Sequence, residues 1–259
     1  MKALCVGVMF CVGLMGQTSA KAPAKTAAAV PAKKATTGAA KAAAPGPSSR
    51  LMHPELAKSR APELYRVKFT TSKGDFVVEV HRDWAPLGAD RFYNLVRVGY
   101  FNGDAFYRVV PTWVQFGASP YPEVSRAWSS STIKDDPKKE GNKAGTIVFA
   151  TAGTDKRTTQ VFINFQDNGM LDNMGFTPFG TVTEGLDLAK GLYAGYGEMQ
   201  ELGGPGPSQR LTMEQGKAYL DKSFPQLDHV VSAKVIFPEA APVAAKKGTT
   251  TATKAPAKK

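Results

Sequence analysis

Arg108 stands in an apolar run, Phe106-Tyr107-Arg108-Val109-Val110-Pro111, and about fifty residues later comes Thr159-Gln160-Val161-Phe162-Ile163. Read as strands, the two stretches aim one arginine at a surface carrying a glutamine and a phenylalanine. A fixed cation above an apolar pocket suits a proline ring, and it suits the chemistry of the X-Pro bond, whose slow rotation limits many proline-containing chains. Taken alone, each residue has a plainer reading. An arginine in a strand is usually on the surface, Phe162 reads as a core aromatic and Gln160 as a solvated strand position. What separates the two readings is the set of elements around them.

Residues 65–70 alternate, 71–74 turn, and 75–80 run back, which predicts a hairpin. Asp83-Trp84-Ala85-Pro86 opens a helix to about Val98, with Ala89, Phe92, Leu95 and Val96 on one stripe and Gly99 ending it. A strand pair over 106–110 and 113–116 follows, then a polar, turn-rich excursion over 119–142. Further strands are predicted over 145–151, 160–165, 177–182 and 229–237, with a short helix at 186–193, a Gly/Pro-rich loop at 195–208 and a helix at 210–223. Many short strands with few helices predict a mainly β fold, a closed antiparallel β-barrel with two or three flanking helices, because closure removes exposed edges.

The chain has 259 residues and a formal net charge of +11. Residues 51–238 hold 21 Lys+Arg against 21 Asp+Glu, so the excess lies outside the predicted domain. A neutral domain lacks the basic face of a folded nucleic-acid reader, and no specific nucleic-acid partner is expected. Residues 1–20 have the layout of a secretory signal peptide: Lys2, an apolar run over 3–15 and Thr18-Ser19-Ala20 as a cleavage site. Cleavage predicts an exported protein, periplasmic or secreted; an uncleaved anchor or a lipid on Cys11 are the alternatives. Both cysteines, Cys5 and Cys11, lie in this segment, so the cleaved chain would form no disulfide. Residues 21–50 and 239–259 are Ala/Lys/Pro-rich and are expected to be disordered, either as spacers or as lysine-rich tethers in weak contact with an anionic polymer or membrane surface. The histidines His53, His81 and His229 are scattered, so neither a metal cluster nor a cofactor is expected, and the domain is expected to be a monomer.

The order of motifs resembles the cyclophilin-type peptidyl-prolyl isomerases over about residues 65–192. The stretch from Phe92 to Gly103 is similar to the family's approach to its arginine, and Phe106 to Pro111 matches the arginine strand. Gly145 to Gly153 is similar to the strand and turn lining the pocket, Thr159 to Ile163 to the segment supplying a glutamine and a phenylalanine, and Leu171-Asp172 through Phe179-Gly180 to the closing stretch. The resemblance implies prolyl isomerisation of proline-containing polypeptides with Arg108 as the catalytic residue. It further implies a substrate surface of Gln115, Gln160, Phe162, Leu171, Ala150, Thr151, Phe176 and Met170, with Trp113 or Val114 as a wall.

Several positions depart from the pattern. Thr112-Trp113 follows the strand's proline where the family has a glycine and a phenylalanine, and the segment up to Gln115-Phe116-Gly117 is one residue short. Trp113 and Gln115 take the pocket positions if the gap falls there, Val114 and Phe116 if not; the first keeps a glutamine beside the arginine. Thr151 replaces a common asparagine, Met170 an aromatic, and Gly175-Phe176 a histidine with one residue inserted.

Overall fold

A computed structural model describes residues 47–236. The expectations for residues 1–20, for the arm as far as residue 46 and for the tail from 237 fall outside the described residues. Eight strands form one antiparallel sheet: β1 Leu64–Thr71, β2 Gly74–His81, β3 Arg108–Val110, β4 Trp113–Phe116, β5 Thr146–Phe149, β6 Val161–Asn164, β7 Pro178–Glu184 and β8 Val230–Ile236. The order across the sheet is β3-β4-β6-β5-β7-β2-β1-β8.

The sheet does not close into a barrel by a continuous ladder, contrary to the expectation from sequence. Its edge strands are β3 and β8. Among the described residues the chain leading into β3 meets the start of β8: Ala105 and His229 form an isolated bridge, Phe106 N–H donates to the Asp228 carbonyl at 3.0 Å, and Gly103 N–H to that of Val230 at 2.8 Å. The reason is length. β3 has three residues and begins at Arg108, so its ladder stops short of β8, whose other edge pairs with β1.

Four α-helices pack around the sheet among the described residues, where two or three were expected: α1 Pro86–Val98, α2 Pro122–Ser129, α3 Leu186–Lys190 and α4 Gln209–Ser223. α1 starts on Pro86 and stops at Gly99, whose left-handed φ of 79° suits a glycine. The unexpected element is α2, inside the stretch read as a polar excursion. It buries Val124 and Trp128 one turn apart, and Trp128 Nε1 donates to the Leu51 carbonyl at 2.8 Å. Val124 and Trp128, with only Ala127 and Pro122 as further apolar residues among eight, give too little periodicity to read.

Alternation along the strands separates core from site. Val109, Val114, Ile163 and Ile147 face inward and are all buried in the main core. Their neighbours in the chain therefore face the other way. In register across four strands they run Arg108, Gln115, Phe162, Val148.

Candidate active site

That outward row is the foundation of the site, because side chains directly opposite on paired strands lie side by side. Phe162, Val148 and Leu171 form a small apolar cluster of their own, with Trp113, Ala150 and Phe176 packed against it. The Phe162 ring meets Trp113 at 5.9 Å and Phe176 edge-on at 5.7 Å between centroids. The Arg108 guanidinium carbon stands 5.0 Å from the centre of the Trp113 ring, within cation–π range. Arg108 pairs with Gln115 across β3 and β4, so Trp113 and Gln115, rather than Val114 and Phe116, face the pocket. Val114 and Phe116 are fully buried in the core.

Hydrogen bonds fix the polar half. Arg108 Nη1 donates to Gln115 Oε1 at 3.0 Å, and Gln115 Nε2 donates to Gln160 Oε1 at 3.1 Å. Tyr107 Oη donates to the same Gln160 oxygen at 2.6 Å; burial pushes this phenol's pKa well up, so it remains a neutral donor. Gly117 lets Gln160 come so near. Its φ is 102°, and a Cβ there would overlap the Thr159 carbonyl oxygen. Asp104 accepts from Gly117 N–H at 2.6 Å and anchors the end of β4; desolvation raises its carboxyl well above the usual range.

The far wall is carried by a 3-10 turn, Gly169–Met174, held by buried asparagines. Asn168 Nδ2 donates to Asn164 Oδ1 at 2.7 Å and Asn164 Nδ2 to Asn142 Oδ1 at 3.2 Å. Asn142 Nδ2 in turn donates to Asp172 Oδ1 at 2.8 Å and to the Phe176 carbonyl at 2.9 Å. The relay sets Leu171 and Phe176 against Phe162. Met170 and Thr151 are not in the cluster. Met170 is 56% exposed at the rim, and the Thr151 hydroxyl is turned to the Gly153 carbonyl.

Residues 66–213 match the family model described as cyclophilin type peptidyl-prolyl cis-trans isomerase/CLD. The chain belongs to this family. It is 30% identical over 128 residues to a peptidyl-prolyl cis-trans isomerase of Acinetobacter baylyi, covering 47% of this chain and 68% of that protein. Peptidyl-prolyl cis-trans isomerase A of Dickeya dadantii is 31% identical over 129 residues, covering 48% and 68%. Peptidyl-prolyl cis-trans isomerase B of Escherichia coli is 29% identical over 147 residues, covering 52% and 90%.

Sequence reasoning missed four side chains of this cyclophilin that touch the site. Glu198, in the loop expected only to be Gly/Pro-rich, sets its carboxylate on Arg108, with Nη2 donating to Oε2 at 2.7 Å and Nε 2.6 Å from Oε1. Gln209 Nε2 donates to Gln160 Oε1 at 2.8 Å, and Gln160 Nε2 reaches Met213 Sδ at 3.6 Å, so the start of α4 covers the glutamine. Tyr107 is the fourth, completely buried beneath them. A lone acid in a glycine-rich loop has no period, and nothing local marks its partner ninety residues back.

Proposed function

We propose that this cyclophilin accelerates rotation about X-Pro bonds in unfolded or extended exported polypeptides, with Arg108 as the catalytic donor. An X-Pro amide resists rotation because the proline nitrogen shares its lone pair with the carbonyl, and at the twisted midpoint that pair is localised on nitrogen. A donor held there favours the midpoint over both planar states. Rotation breaks no bond that a nucleophile must remake. The reading is carried by one observation: Arg108, buried and braced by Gln115, lies in register with the apolar floor of Phe162 and Val148. The ring would sit on Phe162 and Leu171 against Trp113, leaving the preceding carbonyl to swing.

The test is NMR exchange on a short X-Pro peptide with residues 51–238. Exchange well above the uncatalysed rate is expected; exchange at the uncatalysed rate, in a folded sample, rejects catalysis. A proline-binding or holdase module of low activity is the second reading, favoured by the carboxylate already resting on Arg108.

Export through cleavage after residue 20, a monomeric domain and weak anionic contacts through the arms complete the proposal, supported by the sequence of residues 1–20 and by the charge count. The arms at 21–50 and 239–259 together carry eleven Lys+Arg against one acid. A chain lacking residues 21–49 and 240–259 should keep its rate on a short peptide and lose salt-sensitive retention on anionic vesicles. Salt-dependent binding by the trimmed chain would place the basic surface on the fold instead.

A further inference from the structure

The backbone that carries Glu198 is tied down on both sides. Its carbonyl accepts from Gly206 N–H at 2.8 Å, and the Met199 carbonyl accepts from Gly204 N–H at 3.0 Å. A Cβ at Gly204 would overlap the Glu198 carbonyl, so the loop folds on itself only because that position is glycine. Met199 is completely buried against Tyr107 and Ala118, with Leu202, Met213 and Leu227 around them. Downstream, Glu201 accepts from Ser208 Oγ at 2.6 Å and from Gln209 N–H at 3.0 Å, tying the loop to the first turn of α4. A carboxylate in a long exposed loop would drift; this one is anchored on both sides and aimed at the guanidinium.

The contact itself is incomplete. Nη2 makes an aligned bond to Oε2, but Nε, buried and 2.6 Å from Oε1, has no aligned acceptor. Oε1 takes its bond from Met199 N–H, at 2.8 Å. A third of the Glu198 side chain remains exposed, against 9% of that of Arg108. The arginine is thus occupied by an anion that has water to return to.

We propose that residues 194–208 are a strap whose Glu198 carboxylate is an intramolecular ligand of Arg108, which the X-Pro segment of a substrate must displace. The proposal rests on Arg108 being the donor of the isomerase reading. In the strapped state the guanidinium charge is paired with the carboxylate and Nη2 is taken, so only the unstrapped fraction binds productively, and apparent affinity falls by that fraction. The strap also disfavours an acidic side chain beside the proline, since it would meet a second carboxylate.

Two variants test this in the full chain. Glu198→Gln keeps the shape and an acceptor but removes the charge; Glu198→Ala removes the ligand while the backbone bonds of the loop stay. Both should raise kcat/KM on a neutral X-Pro peptide by about fivefold or more and tighten its Kd by a similar factor; Tm should fall, more for Glu198→Ala than for Glu198→Gln, because the largely buried Arg108 loses its counter-charge. Active wild type with both variants at or below its rate overturns the strap alone and makes Glu198 a residue that positions Arg108. Inactive wild type with an active variant supports the strap and keeps the isomerase. If all three are inactive, tighter peptide binding by Glu198→Gln supports the strap while rejecting catalysis, and unchanged binding overturns both.

Discussion

Arg108→Ala should lower kcat/KM on an X-Pro peptide by about 10²-fold, the scale of losing one preorganised donor to a developing charge, or about 3 kcal/mol of barrier. The loss should fall in kcat more than in KM, because the bond to the proline nitrogen is made only in the twisted state while the ring still rests on Phe162. Arg108→Lys should recover little, since an ammonium cannot serve Gln115 and the substrate from one rigid plane. Stability should fall as well, by less than the roughly 3–5 kcal/mol of orphaning a fully buried charge, because Glu198 keeps a third of its side chain in water. Arg108→Ala combined with Glu198→Ala should therefore regain Tm without regaining rate. Paired measurements of kcat, KM and Tm check this; turnover by Arg108→Ala at the wild-type rate would remove Arg108 from the mechanism.

Phe162→Ala should act on the other parameter. Phe162 is 5% exposed and is the residue against which Trp113 and Phe176 pack, so its loss takes away the surface under the proline. Burying such a ring is worth about 1.5–3 kcal/mol, which predicts KM raised about 10- to 100-fold with a smaller change in kcat. Stability should fall, and Tm with it, by less than the roughly 3–5 kcal/mol typical of Phe→Ala in a closed core, because the gap opens to the groove and water enters it. A lowered Tm with unchanged KM would show Phe162 to be a packing residue only.

The sequence by itself determined what is local. Alternation placed most strands to within a few residues, and Pro86 and Gly99 framed α1 through their own φ preferences. The order of motifs, through its resemblance to the family, pointed to Arg108, Phe162 and Leu171, and the structure sets Phe162 and Leu171 in one apolar cluster. The register of β4 was open in the sequence, since a missing residue between Pro111 and Gln115 shifts every side chain to the opposite face; pairing decided it, setting Gln115 opposite Arg108. Only the tertiary structure showed that β3 is too short to close the barrel, that Val124 and Trp128 make a helix of a polar stretch, and that Met170 and Thr151 stand outside the apolar cluster. The largest addition was Glu198. Its meeting with Arg108 depends on a glycine turn that packs backbone on backbone, on a buried Met199 and on the anchorage of α4. Contacts of that kind carry no period and no motif: they are fixed by which surfaces the folded chain leaves facing each other.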